Sequence, residues 1–117
     1  MDAEVRKRAE ALISSIKDCT EYRRFEQARQ SLDAQPQKRK TADLFRKKNF
    51  LLQNAAELNP PQSQEAMSLE REELRRDPVI DDYLKSELAL CRMLRQLTLQ
   101  LMGSVDLDLD ALEDILS

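Results

Sequence analysis

Apolar residues along this chain recur at three- and four-residue intervals and never settle into strand-like alternation, so every element they predict is a helix. Residues 3–17 place Val5, Ala9, Leu12, Ile13 and Ile16 on one side of a first helix. Asp18 followed by Glu21 has capping-box spacing for a second, with Tyr22, Phe25, Ala28 or Arg29, and Leu32 facing inward. Gln35-Pro36 breaks the chain, and a third helix runs to about Leu58 with Leu44, Phe45, Leu51, Leu52 and Ala55 as its apolar side. Asn59-Pro60-Pro61 stops it, because consecutive prolines cannot continue a helix. Ser63 is the expected cap of a more polar helix over 64–76, whose apolar residues are Ala66, Met67, Leu69 and Leu74.

The longest pattern begins at Asp77, an N-cap residue followed by Pro78 at the first helical position. At 100° per residue, Ile80, Tyr83, Leu84, Leu90, Cys91, Leu94, Leu97, Leu101 and Met102 form one broad stripe. Asp82, Lys85, Arg92, Gln96 and Gln100 lie opposite. Leu88, Met93 and Leu99 flank the stripe and widen it in the second half, as two buried surfaces would require. Isolated exposed leucines are ordinary, but the width favours a partner surface over 88–102, carried by Leu88, Leu90, Met93, Leu94, Leu97 and Leu101. Gly103 is the expected close of this helix. The segment VDLDLDALEDILS then alternates Leu107, Leu109, Leu112, Ile115 and Leu116 with acids. It reads as a cap on the domain's own core or as a docking segment for a partner's groove. The division expected is one helical domain over 1–103 and an acidic amphipathic tail over 104–117.

Composition narrows the class. Charged residues make up 35% and aromatics 4%, with a single glycine, so an all-α fold with a thin core is expected. A thin core raises the expectation of oligomerisation. The chain has no histidine, which excludes imidazole bases and His-based triads or metal ligands. A net charge of −3 gives no bulk attraction to nucleic acid or an anionic membrane. No apolar region follows Met1 and none reaches the ~20 residues of a membrane span, so a cytoplasmic protein without membrane insertion is expected.

Candidate chemistry is sparse. Asp106, Asp108 and Asp110 imitate the start of a calcium loop, but its sixth and twelfth positions are Ala111 and Ser117 instead of glycine and glutamate. Glu87 lies in the apolar stripe of the long helix and needs a polar partner, with Tyr22, Arg24 and Arg95 as candidates. Cys19 and Cys91 cannot by themselves complete a four-ligand site. No cofactor is expected, and an iron–sulfur cluster would need ligands from other chains. Lys38, Arg39, Lys40, Arg46, Lys47 and Lys48 face only Asp43 in sign over residues 35–50. They make an RNA-binding patch the alternative function, although the aromatics and glycine loops of single-strand binders are missing. No catalytic constellation is present, so no enzyme is expected.

The order of these features resembles a known family. The stretch AEALISSIKDCTEYRRFEQARQSLDA, the Leu44-Phe45 and Asn49 of the third helix, and DPVIDDYLKSELALCRML are similar to the YlbF/YmcA/YheA family of small helical bacterial proteins. The resemblance covers roughly residues 5–103 and is strongest at Asp77-Pro78, Tyr83 and Ser86-Glu87. It implies a non-enzymatic, commonly dimeric protein, a homodimer or a hetero-oligomer with related chains. It further implies regulation of competence, sporulation, biofilm formation and RNA maturation within a ribonuclease-associated complex. The family's best-known members carry iron–sulfur clusters through a cysteine-bearing C-terminal extension. Here that place holds LDLDALEDILS, which argues against a cluster.

Overall fold

The computed structural model describes residues 1–54 and 61–105, leaving aside the side chains of 61 and 62. Among the described residues there are five helices and no strand: α1 (Ala3–Asp18), α2 (Thr20–Asp33), α3 (Pro36–Asn54), α4 (Pro61–Leu74) and α5 (Pro78–Ser104). The protein is all-α, with a long C-terminal helix, as the spacing predicts. The acidic tail from Asp106 onward, its calcium-loop mimic included, lies outside the described residues, as does the Ala55–Pro60 junction.

The helix ends follow local chemistry. Asp77 caps α5 by accepting hydrogen bonds from the Val79 N–H at 3.0 Å and the Ile80 N–H at 3.5 Å. Asp2 does the same for α1, its Oδ1 accepting from the Glu4 N–H at 2.8 Å. Three expected boundaries are corrected. Asp18 keeps a helical backbone as the last residue of α1 and caps nothing. The extended residue is Cys19 (φ −78°, ψ 162°), which both ends α1 and starts α2. Ser63 lies inside α4, which begins two residues earlier at Pro61, where a first-turn proline costs no hydrogen bond. Gly103 does not close α5: its φ is not positive, the helix passes through it, and Val105 is the extended cap.

The core sits where α2, α3 and the first half of α5 meet. Ala28 and Leu32, Ala42, and Ile80 and Tyr83 are buried together, with Phe25, Leu74, Val79 and Leu84 packed against them. The two alanines let the helix axes approach, and the Tyr83 ring fills the space between them. Phe25 meets that ring with centroids 5.6 Å apart. Arg29, the alternative to Ala28 on the inner face of α2, stays outside, paired with Glu26 and lying over Phe25. On α3 the buried residues are Ala42 and Phe45, whereas Leu44 and Leu51, expected inside, are exposed. Only one narrow face of α3 is covered, so its apolar stripe is wider than the surface available to it.

Contacts fix the sense of each helix. Cys19 meets Met93 at one end of the α2–α5 pair and Leu32 meets Ile80 and Tyr83 at the other, so α2 runs antiparallel to α5. Arg71 over the Phe45 ring and Glu70 opposite Lys48, further along α3, make α3 and α4 an antiparallel pair. The second half of α5 then continues past the start of α2. The 11 residues from Leu94 to Ser104 extend ~16 Å at 1.5 Å per residue. The radius of gyration is 18.0 Å, against roughly 13 Å for a compact domain of this length. Accessible surface is 9561 Å², where a folded monomer of this mass exposes about 6,600 Å².

Candidate functional site

Tyr83 organises the packed end. It is 1% exposed, and two guanidiniums from α3 lie against its ring, Arg39 at 5.1 Å and Arg46 at 5.5 Å from the centroid. Those arginines are seven residues apart, hence on one helical face, with Ala42 between them. Arg46 also reaches Glu87 through a two-pronged pair: Nε donates to Oε1 at 3.1 Å and Nη2 to Oε2 at 2.8 Å. This corrects the partner expected for Glu87, which is neither Tyr22, Arg24 nor Arg95. The physical reason is that α3, not α2, covers that flank of α5. Partial burial is the largest influence and works against the Arg46 charge, but its hydrogen bond to Glu87, the charge of that carboxylate, Tyr83 and Asp43 together outweigh it and raise the guanidinium pKa. Burial raises the Tyr83 pKa, the nearby Glu87 adds to this, and the two arginines oppose it.

Most of the expected basic patch is engaged within the chain. Lys38 pairs with Asp77 at 2.9 Å, Arg39 with Asp43 at 3.0 Å, and Lys48 with Glu70 at 3.6 Å. With Arg46 on Glu87, four of the six cations are paired, and Lys40 and Lys47 alone have no ion pair among the described residues. The Lys38 contact, followed by the two backbone amides, holds the Asp77 carboxyl below its usual range. Lys85 and then Arg75 do the same for Asp81. The spacing of Arg39, Ala42 and Arg46 could have revealed this inward face in advance. A run of like charges hides it, because the count does not say which cations point inward.

The partner surface expected over 88–102 divides into three. Leu90 is buried within the chain, so it cannot belong to a free surface, and Met93 is half-buried with its Sδ 3.8 Å from Cys19 Sγ. Leu88, 51% exposed, turns toward a groove bounded by α3 and α4. Beyond Met93 the helix is open: Leu94, Leu99, Leu101 and Met102 are all exposed, and Leu97 is half-buried. The first helix starts from this same end, at the Cys19 junction. It has no buried residue among those described, and Val5, Leu12 and Ile13 remain exposed. Two apolar helix faces therefore leave the packed end uncovered.

The described cysteines lie apart. Cys19 lies against Met93 and Cys91 lines the α3–α4–α5 groove, and no three cysteine or carboxylate side chains among the described residues come together as a metal site. No described helix is long and apolar enough to cross a membrane.

Fold and surface together define a small all-helical protein with one packed end and, among the described residues, one open apolar end. The chain belongs to the YlbF/YmcA family, described as control of competence regulator ComK, whose pattern it matches over residues 5–106. Comparison with curated proteins and with solved structures gives no match.

Proposed function

We propose that this chain is a non-enzymatic regulatory or scaffold protein of the bacterial cytoplasm that works by helix-mediated association with a second copy or a related chain. The observation that carries this is the open apolar half of α5, Leu94 to Met102, beside an α1 without buried residues. Membership in a competence-regulating family supports a regulatory role. A ribonuclease-associated complex is the partner setting that the resemblance brings.

Light scattering on a size-exclusion column at tens of micromolar tests the association. The expected mass is twice the 13.6 kDa of one chain, falling to one chain for Leu101→Glu. A strictly monomeric wild type overturns the proposal. Affinity purification from the native cell then identifies the partner. RNA binding through the third helix is disfavoured by the ion pairs of Lys38, Arg39, Arg46 and Lys48. Salt-dependent RNA binding lost on Lys40→Glu with Lys47→Glu would restore that alternative.

A further inference from the structure

We infer that the groove between α3, α4 and the first half of α5 is a docking site for the chain's own acidic segment, residues 106–117. The groove has a volume of about 700 Å³. Its α5 wall is formed by Leu84, Leu88 and Cys91, and Phe45 and Phe50 stand on the α3 side. Phe50 is 64% exposed and Leu88 51%, so the described residues leave apolar lining on both walls open to solvent. Such apolar surface on small proteins marks binding sites.

The rim selects for an acidic occupant. Arg46, Arg71, Arg75 and Lys85 border the groove with only Asp81 and Glu87 as carboxylates, four cations against two. Arg75 and Lys85 share the single Asp81, at 3.2 and 2.8 Å. Arg71 holds Asn49 Oδ1 at 3.2 Å and lies over the Phe45 ring, and it has no ion pair among the described residues. Residues 106–117 carry five acids and no base. The other 105 residues hold 19 cations and 17 acids, so the net charge of −3 comes wholly from this segment. Its apolar residues Leu109, Leu112, Ile115 and Leu116 are spaced for one face of two helical turns, with Asp110, Glu113 and Asp114 off that face. Apolar lining meets apolar face, and the positive rim meets the carboxylates.

The reach also fits. Extended backbone advances ~3.4 Å per residue, so the five steps from Ser104 to Leu109 cover ~17 Å. Folded back along α5, at 1.5 Å per residue, this brings Leu109 level with about Met93. Two helical turns cover a further ~12 Å and end near Lys85. That interval holds Leu88 and Cys91, the centre of the α5 wall. The docking is independent of whatever covers the distal half of α5.

Cys91 provides the probe, since its thiol is exposed in the groove. In full-length Cys19→Ser protein, a nitroxide on Cys91 should at least halve the amide NMR intensities of residues 109–116. Arg71→Glu with Arg75→Glu, or Leu112→Asp, should restore them while the Tyr83 region keeps its shifts. The reciprocal label, on Ser117→Cys in protein lacking both native cysteines, should attenuate amides of 84–91 and thereby answers any obstruction by the first label. A mixture of isotope-labelled chains without nitroxide and unlabelled chains with it should show no attenuation. Unattenuated spectra with both labels would overturn the docking, and attenuation that persists in the mixture would overturn the intrachain assignment in favour of a second copy's groove.

Discussion

The two halves of α5 share one helix and one apolar stripe, yet they live in different environments. From Pro78 to Leu90 the stripe is covered by α2 and α3, and Ile80, Tyr83 and Leu90 are buried. From Leu94 onward the same periodicity continues with little cover: Leu97 is half-buried, and Leu94, Leu99, Leu101 and Met102 stay exposed. The first half is stabilised by folding, because its area leaves water when the chain collapses. The second half gains that stabilisation only when another surface arrives. Stability mutations should therefore cluster in one half and association mutations in the other.

The largest expected effect tests the packed half. Tyr83→Ala removes a fully buried ring and the surface under two guanidiniums, and should cost about 3–5 kcal/mol in urea denaturation. A loss under about 1 kcal/mol would mean that Tyr83 does not organise the core. The distal half should behave oppositely. Leu101→Glu should weaken association at least tenfold, about 1.4 kcal/mol, with the far-ultraviolet circular dichroism unchanged, and Gln96→Glu should do neither. If Leu101→Glu unfolds the chain instead, the two halves are not separable.

A double-mutant cycle on Arg46 and Glu87 should give a coupling of about 1 kcal/mol. It should not be larger, because the side chains are 39% and 25% exposed and solvent screens the pair.

The pH dependence of the packed half follows from Asp77 and Asp81, whose folded pKa values are depressed by Lys38 and by Lys85 with Arg75. Depressed carboxyls supply stability that is complete above the unfolded value near 4 and fades as pH falls through the lower folded values. Asp77→Asn keeps a capping side chain but loses the charge facing Lys38. Its melting temperature should lie measurably below wild type at pH 7, with the gap narrowing as pH falls below the unfolded value near 4. A gap that persists in acid would assign the effect to the cap alone.

The smallest effect is Gly103→Ala, expected to raise stability by roughly 0.5 kcal/mol. Gly103 has no positive φ, and a Cβ there meets nothing within 4 Å. Destabilisation would show that this glycine closes α5 after all.

Much of the fold could be read in advance because it is written in local chemistry. Asp77-Pro78 supplies a capping carboxylate and a first-turn proline within two residues, and a three- and four-residue apolar rhythm favours a helix over a strand. Boundaries were less legible at Cys19, Pro61 and Gly103, where polar, proline or glycine residues can serve more than one position. The surface was least legible. Leu90 and Leu101 hold equivalent places in the stripe, yet one is buried and the other 53% exposed. Arg39 and Arg46 look like their lysine neighbours in a charge count, but they lie against Tyr83.

Composition and spacing were enough to settle that the protein is all-helical and that its longest helix begins at Asp77-Pro78. Each depends on backbone propensity, capping and periodic burial, which act within a few residues. Tertiary packing decided which half of that helix is covered, that Glu87 pairs with Arg46, and that the basic run is largely spent on internal ion pairs. These depend on which helices lie side by side, and a one-dimensional pattern carries a residue's angle around its own helix but not the identity of the helix it meets.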